Sequence, residues 1–99
     1  MNRHGKGVAA ERDVAKVWKD HGLEVRGLEG SGDHLVIAGF GDVIHSEVKR
    51  QERLKIPEWW RQTVSEAPAG TIPVLSFRQN RGEWLAVIRL ADLAELVAR

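Results

Sequence analysis

The stretch DHLVIAGFGDVIHSEVK, residues 33–49, decides how this chain folds. Two apolar runs, His34 to Ala38 and Val43 to Val48, flank Gly39-Phe40-Gly41-Asp42, whose residue types suit a tight reversal. The pattern predicts a β-hairpin. Residues two apart on a strand share a face, so Glu47 and Lys49 project together while Val48 turns to the opposite side. The hairpin returns Asp33, at the start of its first strand, toward Glu47.

Outward from the hairpin, the segment Gly7 to Gly22 reads as a helix. Val8, Ala15 and Trp18, with Ala10, Val14, Val17 and His21, recur at helical spacing, and Gly22 is a natural stop. Leu23 to Leu28 predicts a short strand running into the turn-rich Glu29-Gly30-Ser31-Gly32. After the hairpin, Lys49 to Ile56 is charged and irregular or strand-terminal. Pro57 opens a helix to Glu66, since a missing N–H costs nothing in the first turn. Ile72 to Phe77 and Trp84 to Ile88 are strands around the turn Gln79-Asn80-Arg81-Gly82, and Leu90 to Val97 is a closing helix. The order α-β-β-β-α-β-β-α predicts an α/β (α+β) fold: one mixed sheet flanked by helices.

A length of 99 residues gives one domain, 1–99, in which residues 1–6 form a flexible basic arm. Such a chain hides roughly two-thirds of its unfolded surface, enough for one thin core. No apolar run approaches the ~20 residues of a membrane helix, and the basic start leads into no apolar signal segment. The absence of Cys excludes disulfides, thiolate zinc sites and Cys nucleophiles, and with the missing signal predicts an intracellular, cytoplasmic protein, in the host cell if phage-encoded. Because the net charge is only +1, any nucleic-acid role must rest on where the basic residues sit.

Two carboxylates brought side by side repel unless they share a proton or a cation. A hard divalent ion satisfies Asp33 and Glu47, and Mg²⁺ takes one or two carboxylates with waters and phosphate oxygens. Lys49 beside them can orient water or stabilise charge developing on phosphate. The group predicts metal-assisted phosphodiester hydrolysis.

The series Asp33, thirteen residues, then Glu47-Val48-Lys49 resembles the PD-(D/E)XK nuclease superfamily. Lys6-Gly7, Glu11-Arg12 and Gly30-Ser31-Gly32, in that order before it, resemble the archaeal and phage Holliday junction resolvases over about the first two-thirds of the chain. The resemblance implies a restriction-endonuclease-like core. It implies that Glu11, Asp33, Glu47 and Lys49 are catalytic, and that Glu11, Asp33, Glu47 and the main-chain carbonyl of Val48 hold Mg²⁺, for which Mn²⁺ substitutes. Gln62 is similar to a glutamine that trails the Glu-X-Lys strand in related nucleases. Here Gly32, where the family has Pro, precedes Asp33, and no spacer separates the Gly-Ser-Gly loop from it. Asp42 is the alternative ligand if the hairpin register differs.

The DNA backbone is expected along the basic surplus of Lys49 to Arg61. The candidate contacts are Arg50, Arg53, Lys55, Arg61 and Gln62, with Arg3 and Lys6 at the start, Arg12 on the helix and Arg26 and Ser31 near the loop. Arg78 and Arg81, at the far turn, are weaker candidates. Adjacent helical residues lie about 100° apart, so Trp59 and Trp60 cannot both face the core; Trp60 is the candidate for a base or a partner. Trp18 and Trp84 read as core. His34 and His45 fall on the hairpin strands with no His or Cys partner at ligand spacing, so they read as structural and no zinc site is expected.

The resulting expectation is a Mg²⁺-dependent endodeoxyribonuclease of recombination and repair, a Holliday junction resolvase acting on branched DNA. Symmetric cutting of a four-way junction calls for a homodimer. A flap, nicking or repair nuclease of the same superfamily and a non-catalytic nucleic-acid-binding module are the alternatives. The compact chain points to recognition of DNA structure over DNA sequence.

Overall fold

The computed structural model describes residues 3–27 and 34–99, with side chains described from Val8 onward. Helix α1 runs over Arg3–Asp20. It turns Ala10, Glu11, Val14 and Ala15 inward, with Trp18 half-buried below them. The helix ends in a Schellman arrangement: Gly22 N–H donates to Lys19 O at 2.9 Å and Leu23 N–H to Trp18 O at 3.1 Å. Gly22 sits at φ 86°, a region that disfavours any side chain. The backbone is helical from Arg3, ahead of the expected start at Gly7.

Strand β1 (Glu24–Arg26), β2 (His34–Ala38) and β3 (Ile44–Arg50) come next, then α2 (Ile56–Glu66), β4 (Ile72–Arg78), β5 (Leu85–Ile88) and α3 (Leu90–Val97). This is the expected α-β-β-β-α-β-β-α order in an α+β fold. The five strands form one sheet in the order β1-β2-β3-β4-β5. β1–β2, β2–β3 and β4–β5 are antiparallel and β3–β4 is parallel. A parallel pair needs a long crossover, and α2 provides it.

Strand alternation divides the buried residues into two layers. Leu35, Ile37, Ile44, Val48 and Val74 pack with Ala10, Val14 and Ala15 of α1. Leu75 and Phe77 face the other way and pack with Trp59 of α2. The registers Glu47↔Leu75 and Lys49↔Phe77 put Glu47 and Lys49 on this second face. Ser46 and Ser76, register partners on the α1 face, satisfy each other through a 3.0 Å hydroxyl hydrogen bond. As expected for adjacent helical residues, Trp59 is buried and Trp60 half-buried. The closing helix forms where predicted, yet Leu90 and Val97 remain 79% and 76% exposed. Its Leu93 and Leu96 border an apolar groove of about 520 Å³ with Trp18, Leu23 and Phe40.

Candidate active site

Glu47 lies on the central strand, opposite His34 on one side and Leu75 on the other. Its side chain has no solvent exposure. Burying a carboxylate is costly without compensation. Part of that compensation is His45, two residues earlier on the same face, whose Nε2 lies 2.8 Å from Glu47 Oε2. A carboxylate only accepts, so the imidazole N–H donates. The His45 ring stacks on His34, with centroids 4.8 Å apart and planes 24° from parallel. The stack and the hydrogen bond together fix the ring, and through it the Glu47 side chain.

Lys49 follows Glu47 on the same face and is half-buried. Val48 points into the α1 layer, 6% exposed, as the alternation predicts. Glu11 is 2% exposed within the otherwise apolar stripe of α1. Its helix packs against the Val48 face of β3. Asp33 and Ser31 lie outside the described residues; Asp33 immediately precedes His34, the register partner of Glu47. Asp42 stands at the turn end of the hairpin, beyond the Ile37↔Ile44 pair, and accepts a hydrogen bond from Arg99 Nη2. That bond raises the Arg99 pKa. Asp42 is therefore engaged far along the strand from Glu47.

The structure adds Glu66, the last residue of α2, to this neighbourhood. Single ligand atoms of His45, Glu47 and Glu66 all lie within 4.8 Å of one another. Gln62 Nε2 donates to Glu66 Oε2 at 3.3 Å, so this glutamine meets the site through Glu66. The i, i+2 spacing of His45 and Glu47 was a readable sign of a shared face. Glu66 left no such sign, because its position depends on how the crossover helix lies on the sheet.

The basic residues gather unevenly. Arg50 and Arg78 are register partners at the ends of β3 and β4, both half-buried. The Arg78 guanidinium lies 5.4 Å from the centroid of the Trp84 ring. The loop 51–55, which carries exposed Arg53 and Lys55, is tied to the β4–β5 turn. Gln51 N–H donates to Arg78 O at 3.2 Å and Gln79 Nε2 to Glu52 O at 2.6 Å, and Asn80 N–H bonds the Glu52 carboxylate. Lys49, Arg50, Arg53, Lys55 and Arg78 thus cluster at one end of the sheet. Arg61 is exposed on α2, and Arg89 lies 6.0 Å from the ring of half-buried Trp60. Arg12 is exposed on α1, and Arg26 pairs with Glu24 at 3.2 Å. The side chains of Arg3 and Lys6 lie outside the described residues.

Among the described residues no helix is long and apolar enough to cross a membrane. No curated protein matches the chain at a significant level. A family model described as "Phage putative PDDEXK endonuclease" matches residues 2–99, nearly the whole sequence and every element described above. On this match the chain belongs to that phage PDDEXK endonuclease family.

Proposed function

We propose that the protein is a divalent-metal-dependent, structure-specific DNA endonuclease whose substrate is a branched duplex, a four-way junction above others. The observation that carries the reading is the fully buried Glu47, with Lys49 on the same face, at the end of the sheet where Arg50, Arg53, Lys55 and Arg78 gather. A pure binding surface gains nothing from buried carboxylates, which repel phosphate.

PDDEXK nucleases generally depend on a divalent metal. The donor chemistry here fits one: a fully buried carboxylate held by an imidazole on β3, and a further buried glutamate on α1. Glu47, with Glu11, Asp33 and the Val48 carbonyl, would hold Mg²⁺, with Mn²⁺ as a substitute. When bound, such an ion supplies Lewis-acid stabilisation of the phosphate and a more acidic water. The chain's own groups do the rest. Lys49 sets its ammonium against the charge that develops on the scissile phosphate. His45 keeps Glu47 in one orientation. Arg50, Arg53, Lys55 and Arg61 hold the flanking backbone, a sequence-independent contact suited to recognition of DNA shape. Symmetric incision of a junction requires two such sites related by a two-fold axis, and so a homodimer.

The test is cleavage of end-labelled four-way junction, flap, nicked and linear duplex DNA, with Mg²⁺ and with chelator, beside Glu47→Ala. Paired symmetric cuts in the junction that need Mg²⁺ and Glu47 are expected. Cuts in flaps or linear duplex would remove the junction specificity and keep the nuclease. DNA binding with no cleavage of any substrate would overturn the enzyme.

A further inference from the structure

We propose that His45, Glu47 and Glu66 form a cation site of their own on the α2 side of the sheet, selective for a first-row transition dication such as Mn²⁺ or Zn²⁺ over Mg²⁺. The site shares Glu47 with the endonuclease reading but uses two residues which that reading leaves out of metal binding.

Convergence is the first observation. One ring nitrogen of His45 and one carboxylate oxygen each from Glu47 and Glu66 lie within 4.8 Å of one another, a separation that one ion between them closes with small side-chain movements. Pre-organisation is the second. His45 and Glu47 are buried, and the His34 ring stacked on His45 fixes the imidazole plane.

The surroundings also favour a cation. Glu66 ends α2, and the last turn of that helix contains no basic residue, so its carbonyl end presents uncompensated negative charge at the cluster. A cavity of about 370 Å³, lined by His34, Val36, His45, Glu66 and Thr71 among others, opens onto the same place and leaves room for coordinating water. Glu66 is exposed at its rim, which gives an ion a route to the buried pair.

The donor set determines the choice of ion. Mg²⁺ prefers oxygen ligands in strict octahedral geometry, whereas one imidazole among carboxylates shifts affinity toward the later first-row ions.

Mn²⁺ is the probe, added to the full chain without DNA. Titration calorimetry gives the affinity, and pulsed electron paramagnetic resonance reads nitrogen modulation from a bound imidazole. The wild-type chain should show nitrogen modulation that survives an excess of Mg²⁺. His45→Gln should abolish it. Glu66→Gln, a surface change that leaves the fold intact, should weaken Mn²⁺ binding by at least about tenfold. Nitrogen modulation absent from the wild type or persisting in His45→Gln would overturn the site, as would wild-type affinity in Glu66→Gln. Should His45→Gln fail to fold, Glu66→Gln decides. A chain that passes these tests but cuts no DNA would keep this site and lose the endonuclease reading.

Discussion

Arg50 and Arg78, far apart in the sequence, sit side by side as register partners at the ends of the parallel strands β3 and β4. Register partners on adjacent strands share a face, so the two residues add positive charge to one patch, which an anion relieves. A phosphate of the DNA backbone is the anion expected there, because guanidinium matches phosphate in a bidentate fork. Arg50→Ala and Arg78→Ala should each weaken DNA binding about equally across sequences. Each should also reduce the slope of log affinity against log salt by about one. Fluorescence anisotropy over a salt series checks this; an unchanged slope in both variants would place the phosphates elsewhere.

Glu47→Gln keeps the shape of the side chain and the neighbours His34 and Leu75 but removes its charge. Cleavage should fall below detection while DNA affinity stays within about threefold, since the basic residues at the strand ends are untouched. Lys49→Ala should lower the single-turnover rate about 10²- to 10³-fold, the cost of losing one donor that stabilises a transition-state charge. Single-turnover cleavage and gel retardation on the same junction separate the two effects.

Leu75 has no solvent exposure and stands beside Glu47 in the register. Leu75→Ala should destabilise the protein by about 2–5 kcal/mol through lost burial and the resulting cavity. Urea denaturation followed by tryptophan fluorescence measures it, with Trp59 in the same packed group as the reporter.

Gly22→Ala isolates a backbone effect. A Cβ at this position would meet nothing within 4 Å, so the cost comes from the φ of 86° alone. A loss of about 1 kcal/mol is expected. Thermal unfolding checks it, with an unchanged midpoint counting against the left-handed cap.

The hairpin was legible in the sequence because everything that specifies it is local. Apolar runs of the right length flank a Gly39-to-Asp42 turn in which Gly39 does adopt φ 100°. The shared face of Glu47 and Lys49 followed from alternation alone. The face of α1 was less legible. Helical spacing admits Val17 and His21 to the stripe, yet Val17 is 48% exposed and His21 also faces solvent, while Glu11 is buried. Which side of a helix meets a sheet is decided by packing, and Ala10, Val14 and Ala15 allow the closest approach. The nearness of Arg78 to Arg50, and of Glu66 to His45, could not be read at all. Both depend on the crossover through α2, which has no signature in residue spacing. Spacing alone makes His45 structural, for want of a nearby His or Cys partner; its carboxylate neighbour from α2 arrives from the far end of that crossover.

The position of β3 between a local and a distant neighbour also bears on the order of folding. Its pairing with β2 closes through a short turn, but its pairing with β4 must wait for the whole of α2 to cross the sheet. Contacts so distant along the chain form late, because the intervening segment must first lose its freedom. Leu75, the register partner of Glu47, arrives with β4. A chain still emerging from the ribosome, with the hairpin made and β4 not yet docked, would hold Glu47 without Leu75 beside it. Enclosure of the Glu47 side chain is thereby coupled to completion of the fold.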